Sequence, residues 1–101
     1  MTRTDIRALK RLVMAGLQHD ASAGERQAAR DAALQLLQRS IAMQHDRLFL
    51  HRLADAMKLG AAIDPRARAH CEAMAGDPIR FGGLFAAARK IHPSLPCSCR
   101  T

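Results

Sequence analysis

Hydrophobic positions recur at helical intervals from one end of the chain to the other, and no run alternates with a period of two. Ile6, Leu9, Val13 and Leu17, with Leu12 beside them, form one stripe. Thr2 and Asp5 have capping-box spacing, with Thr4 as a second N-cap candidate, so a first helix is expected over residues 5–19. Ser22-Ala-Gly-Glu25 is a cleaner capping box, and Ala29, Ala33, Leu36, Leu37 and Ile41 supply the face behind it. Nothing obvious breaks the chain again until Gly60.

One helix over 23–59 is nevertheless ruled out by phase. At about 100° per residue, the stripe through Leu36, Leu37 and Ile41 lies roughly half a turn from that of Phe49, Leu50, Leu53 and Met57. A straight helix would face both ways. The break belongs near Gln44–Asp46, with Asp46 capping a third helix over 47–59 that Gly60 ends. Asp64-Pro65 and Asp77-Pro78 then repeat the pattern of a carboxylate at N-cap and a proline at the first helical position. They open a fourth helix over 65–75, closed by Gly76, and a fifth segment running to about His92. Phe81-Gly82-Gly83 weakens the first turn of that segment and leaves its start open between Pro78 and Gly83. Pro93 stops it. The pattern predicts an all-α fold: a compact single-domain bundle of four to five short helices over residues 1–93, with an irregular C-terminal tail over 94–101.

Composition changes this picture in two ways. About a fifth of the 101 residues are Ala, Phe occurs three times, and Trp and Tyr are absent. Such a chain favours close helix–helix approach over a thick core, which implies modest stability unless a second copy or a partner completes it. The formal net charge is +7, and thirteen of the sixteen cations are Arg. Most of the nine acids stand at expected helix starts (Asp5, Asp20, Glu25, Asp46, Asp64, Asp77), where they serve as caps. The helix flanks are left mainly to Arg, so the charge should surface as basic patches. A GC-rich coding bias would favour both Arg and Ala, but it accounts less well for the net charge and the placement of the acids.

The best-defined patch is on the first helix, where Arg3, Arg7 and Arg11 recur at i, i+4 and i+8, with Lys10 adjacent. Together with Met14 these are the candidate partner-binding residues, directed at an acidic protein surface, nucleic-acid phosphate or anionic lipid. Whether Arg26 and Arg30, Arg47 and Arg52, or Arg66 and Arg68 extend the patch depends on the fold. Met14, Met43, Met57 and Met74 offer adaptable apolar surface, though most are expected in the core.

The other chemistry-bearing motifs are thin. A helix-turn-helix over 53–74 has Ala56 well placed before Gly60, but Asp55 and Arg66 stand where that motif wants apolar residues. Base stacking lacks an aromatic platform. His92, Cys97 and Cys99 are metal-ligand types, but Cys97-Ser98-Cys99 has no second paired motif, and Cys71 reads as a small core residue. His19 and His92 fall near helix C-termini, where capping explains them. The Arg80–Gly83 stretch has the composition of a phosphate cradle, but a tight loop entering a packed helix explains it more simply. No catalytic motif and no cofactor fingerprint is present.

An 18-residue apolar run is lacking, and Leu12–Leu17 is too short and too late for a secretory signal. The apolar face of the first helix is needed for the core, so a membrane is not expected as a partner. An odd number of cysteines without disulfide-type spacing points to the cytoplasm. The reading that follows is a small non-enzymatic helical interaction module without a cofactor. It would be an adaptor or inhibitor that docks on a larger protein bearing an acidic or apolar surface. The alternative is a basic nucleic-acid-binding regulator, dimeric, that holds phosphates through Arg; a homodimer is compatible with either.

Overall fold

The computed structural model describes residues 2–93 and Leu95. Five helices follow one another: α1 (Arg3–Leu17), α2 (Ala23–Ala42), α3 (Asp46–Lys58), α4 (Pro65–Ala75) and α5 (Pro78–Ile91), with no strand among the described residues. The expected tail over 94–101 falls, apart from Leu95, outside the described residues.

The caps explain most boundaries. Thr2 accepts from the Asp5 N–H at 3.2 Å while the Thr2 N–H donates to the Asp5 carboxylate at 3.0 Å, so α1 begins at Arg3 rather than residue 5. Thr4 lies inside the helix and caps nothing. Ser22 and Glu25 repeat the reciprocal pair at 3.1 and 3.0 Å. In both boxes the hydrogen bonds hold the carboxyl below its ordinary range, the backbone bond first and the hydroxyl residue's side chain second. Asp64 and Asp77 accept from the N–H groups of Arg66 and Arg80, as their Asp-Pro context predicts. Two acids depart from that rule. Asp20 sits in the α1–α2 connection ahead of the Ser22 cap, and Asp46 is the first residue of α3 rather than its cap. The N-cap of α3 is His45, which makes no side-chain capping bond, and Asp46 instead faces His70 at 3.5 Å.

The expected break between α2 and α3 is a Schellman turn. The His45 N–H reaches the Ser40 carbonyl at 2.9 Å and the Gln44 N–H reaches that of Ile41 at 3.1 Å, with Gln44 at φ +54°. The same turn ends α3, where Gly60 takes the left-handed position at φ +72°. α5 runs unbroken from Pro78, so Gly82 and Gly83 lie within the helix and do not delay its start. Asp77 and Pro78 outweigh two glycines because a fixed cap and a preset φ lower the cost of the first turn.

α2 is the axis of the fold. It packs against α1, α3 and α4 through a face of Ala29, Ala32, Ala33, Leu36, Leu37 and Ser40, and leaves Gln27, Asp31, Gln35 and Gln38 exposed on the opposite side. α1 is sharply amphipathic and buries only Val13 and Gly16. Two hydrophobic clusters result. One is built mainly from alanine: Val13, Ala29, Ala32, Ala33, Leu36, Ala56 and Leu59. The other joins Leu37 of α2 to Phe49, Leu50 and Leu53 of α3, Ala67, Cys71 and Met74 of α4, and Phe85 and Ala88 of α5. Cys71 is fully buried, as expected of a small core residue, and it is disulfide-bonded. Of the four methionines expected mostly in the core, only Met74 is buried; Met14, Met43 and Met57 are exposed. The interior between α1 and α2 is filled at alanine distance, which leaves long unbranched side chains no room there.

Candidate functional site

The direction of the helices sets up the site. Gly16 near the end of α1 lies against Ala29 near the start of α2, and Arg30 of α2 donates from Nε to the Leu59 carbonyl at the end of α3 at 2.8 Å. α1 and α3 therefore both run antiparallel to α2 and parallel to each other. At Gly16 they are drawn together: a Cβ there would overlap that of Ala29, and Leu59 Cδ2 would stand 3.3 Å away.

The space between them is a cleft of about 390 Å³, lined by Arg3, Ile6, Arg7 and Lys10 of α1, Leu36, Arg39 and Ser40 of α2, His45, and Leu48 and Arg52 of α3. Five cations and one imidazole face it, and no acid is among the lining residues. Ile6, Leu36 and Leu48 give it an apolar floor, and Leu48 is 39% exposed although it lies one residue from the fully buried Phe49. Arg52 is half-buried, and its Nε is out of reach of solvent with no hydrogen-bond partner. Burial weakens its hold on its proton, opposed by the charge of Asp55 one turn on. Ser40, the one hydroxyl lining the cleft, donates to the Leu37 carbonyl at 2.6 Å. That bond commits its proton to the backbone and leaves it poorly suited to act as a nucleophile.

Three of the five expected partner-binding residues thus converge: Arg3, Arg7 and Lys10 line the cleft. Arg11 and Met14 do not. Both are exposed, with Arg11 turned about 80° from Arg3 around α1 and Met14 one turn beyond Lys10. Arg39 and His45 were not expected there, nor were the floor residues, whereas Arg52 is one of the cations whose joining the patch depended on the fold. Part of this follows from the α1–α2 hairpin: with Gly16 set against Ala29, the antiparallel register brings Ile6 and Arg7 opposite residues near 39. Arg52 needed the course of α3 as well.

A second cleft, of about 350 Å³, lies at the closed end and is lined by residues including His19, Arg26, Arg30 and Lys58. Two of its three cations, Arg30 and Lys58, have structural duties. Arg30 ties down the end of α3, and its Nη1 also donates to Gln27 at 3.2 Å. The Lys58 ammonium donates to His92 Nδ1 at 2.8 Å. That bond places the His92 proton on Nε2, which lies 3.2 Å from Nδ1 of His51. His92 is only 7% exposed. Burial first, then the charge of Lys58, push its pKa below the usual imidazole value; Asp55 opposes this and His51 adds to it. As a metal candidate His92 is therefore engaged at both ring nitrogens, and Cys97 and Cys99 lie outside the described residues. Among the described residues no three His, Cys, Asp or Glu side chains are grouped to hold a metal ion.

The remaining motifs dissolve into the fold. Arg80–Gly83 is helix rather than a turn, with the Arg80 guanidinium 4.9 Å from the centre of the Phe81 ring. His70 stacks edge-on against Phe49 at 4.6 Å, which explains it as a packing residue. No helix among the described residues is long and apolar enough to cross a membrane. The chain matches no protein-family model, no curated protein and no solved structure.

Proposed function

We propose that this chain is a small, non-catalytic interaction module that docks an acidic, partly apolar segment of a larger protein in the cleft between α1 and α3, and modulates that protein by occupying the segment. The observation that carries the reading is the composition of the cleft: five cations from three helices around an apolar floor, with no acid among them. Arg3 strengthens the argument. It is the first residue of α1, where the helix dipole disfavours a cation by about 0.3–1 kcal/mol, so its position is not explained by helix stability. Gathering like charges at one mouth costs further repulsion, which an anionic occupant relieves.

The floor supports a protein anion over a nucleic-acid one. Ile6, Leu36 and Leu48 offer nothing to phosphate oxygens but receive aliphatic side chains, which an acidic protein segment has and a nucleic-acid backbone lacks. The test is a pair of titrations at low salt: one with a peptide that alternates clusters of Glu with Leu, the other with a duplex oligonucleotide. The peptide is expected to bind, and to lose about a hundredfold in affinity when Arg3 and Arg7 are both changed to Glu. Binding of the duplex alone, with a steep salt dependence, would replace this reading with the phosphate-binding one.

A further inference from the structure

Resting on that reading of the cleft, we infer that its occupant is an amphipathic helix, laid parallel to α2's neighbours between α1 and α3, that sets one Glu or Asp carboxylate against the guanidinium of Arg52. Two independent observations lead there. The walls and floor of the cleft are helices, whose backbone groups are paired within α1, α2 and α3 except in the first turns at Arg3 and Leu48. An extended segment would bring a full row of N–H and C=O groups over an apolar floor that offers only those few N–H groups in return. A helix satisfies its own, and can press side chains alone into the space. The spacing of the cations agrees. Arg3, Arg7 and Lys10 recur at i, i+4 and i+7 along one wall, which matches acids at the same intervals on an incoming helix.

The second observation is the orphaned donor. Arg52 Nε is shut off from solvent and makes no hydrogen bond, although a buried guanidinium N–H normally has a partner. The residue sits in the opposite wall from Arg3 and Arg7, on α3, one turn from Leu48. Nε itself is sealed, but the residue is only half-buried and lines the cleft, so a carboxylate there would accept from the two Nη groups in the two-bond geometry that Arg offers and Lys does not. The outer cations then act as a general attraction, while Arg52 reads one position of the partner.

The experiment uses the full chain and a designed amphipathic peptide of about 18 residues, with Leu on one face and Glu at i, i+4 and i+7 on its flanks. Affinity and circular dichroism are measured together. The peptide is expected to gain helicity on binding, and a version with a central Pro is expected to bind at least about tenfold more weakly. Arg52→Lys, which keeps the charge and most of the stem, should lose about tenfold against the parent peptide. It should lose nothing further against the single Glu→Gln peptide that already lacks the paired carboxylate. Equal binding of the Pro version, or an Arg52→Lys chain as tight as wild type, overturns this inference while the acidic-docking reading stands. Failure of every acidic peptide to bind removes both. The melting temperature of Arg52→Lys is read alongside; if it falls, the helicity gain and the Pro comparison on the wild-type chain still decide the helical part.

Discussion

Where α1 crosses α2 the contacts run through Gly16, Ala29, Ala32 and Ala33; where α3 meets α4 and α5 they run through Phe49, Leu50, Leu53, Met74 and Phe85. The first region holds by proximity and the second by volume. Small side chains remove little apolar area from water per residue, so α1 buries only Val13 and Gly16 fully although its contact with α2 is the most extensive between any two helices. The cation-lined cleft lies at the end of this pair away from Gly16, where Ile6, Leu36 and Leu48 replace the alanine seam. In the other region Phe49 and Leu50 are both fully buried.

Substitutions should separate the two regions. The largest effect is expected from Phe49→Ala, which empties the centre of the large-residue core and loses the edge contact with His70. A loss of about 3–5 kcal/mol in a denaturant titration is expected, with the whole chain unfolding at lower denaturant. Gly16→Ala comes next. The new methyl group overlaps Ala29 Cβ, and the helix backbones must part, at a cost of about 1–3 kcal/mol. Its signature differs in kind: amide exchange should accelerate in α1 while α3 to α5 keep their protection, and an equal rise everywhere would argue against two regions.

The same exchange of Gly for Ala should have the opposite sign at Gly82 and Gly83. A Cβ at either position meets nothing within 4 Å, and both lie inside α5. Each replacement is expected to raise stability by about 0.5–1 kcal/mol, read as a higher melting temperature. A smaller effect links the C-terminal end of α5 to α3 through His92. Because its folded pKa is lowered, the unfolded chain takes up this proton more readily than the folded one. The contribution is complete above the ordinary imidazole value of about 6.5 and is lost as pH falls through the lowered folded value. His92→Gln should flatten that part of the stability profile between neutral and mildly acidic pH, and an unchanged slope would place the titration elsewhere.

The sequence made the helices legible because their punctuation is local. Thr2 with Asp5, Ser22 with Glu25, and the two Asp-Pro pairs each act within one turn, and the phase shift between Leu37 and Phe49 marks the α2–α3 break without reference to tertiary contacts. Asp46 misled because a carboxylate in the first turn and one at the cap look alike in a sequence; the Schellman turn through Gln44 shifts the cap to His45. Half of the cleft was legible for the same reason. Arg3, Arg7 and Lys10 share a stripe on one helix, whereas Arg39 and Arg52 join them only through the crossing of three helices. Arg11 was grouped with the stripe by spacing, but about 80° of rotation sets it outside.

The most direct test of the acidic-docking reading is an amide chemical-shift titration of the full chain with the Glu/Leu amphipathic peptide. The account predicts perturbations concentrated in the first half of α1, the last turns of α2 and the first half of α3, saturating at one peptide per chain and lost in the Arg3→Glu, Arg7→Glu variant. Perturbations centred on Arg26, Arg30 and Lys58 at the closed end, or none at all in the open cleft, would contradict it.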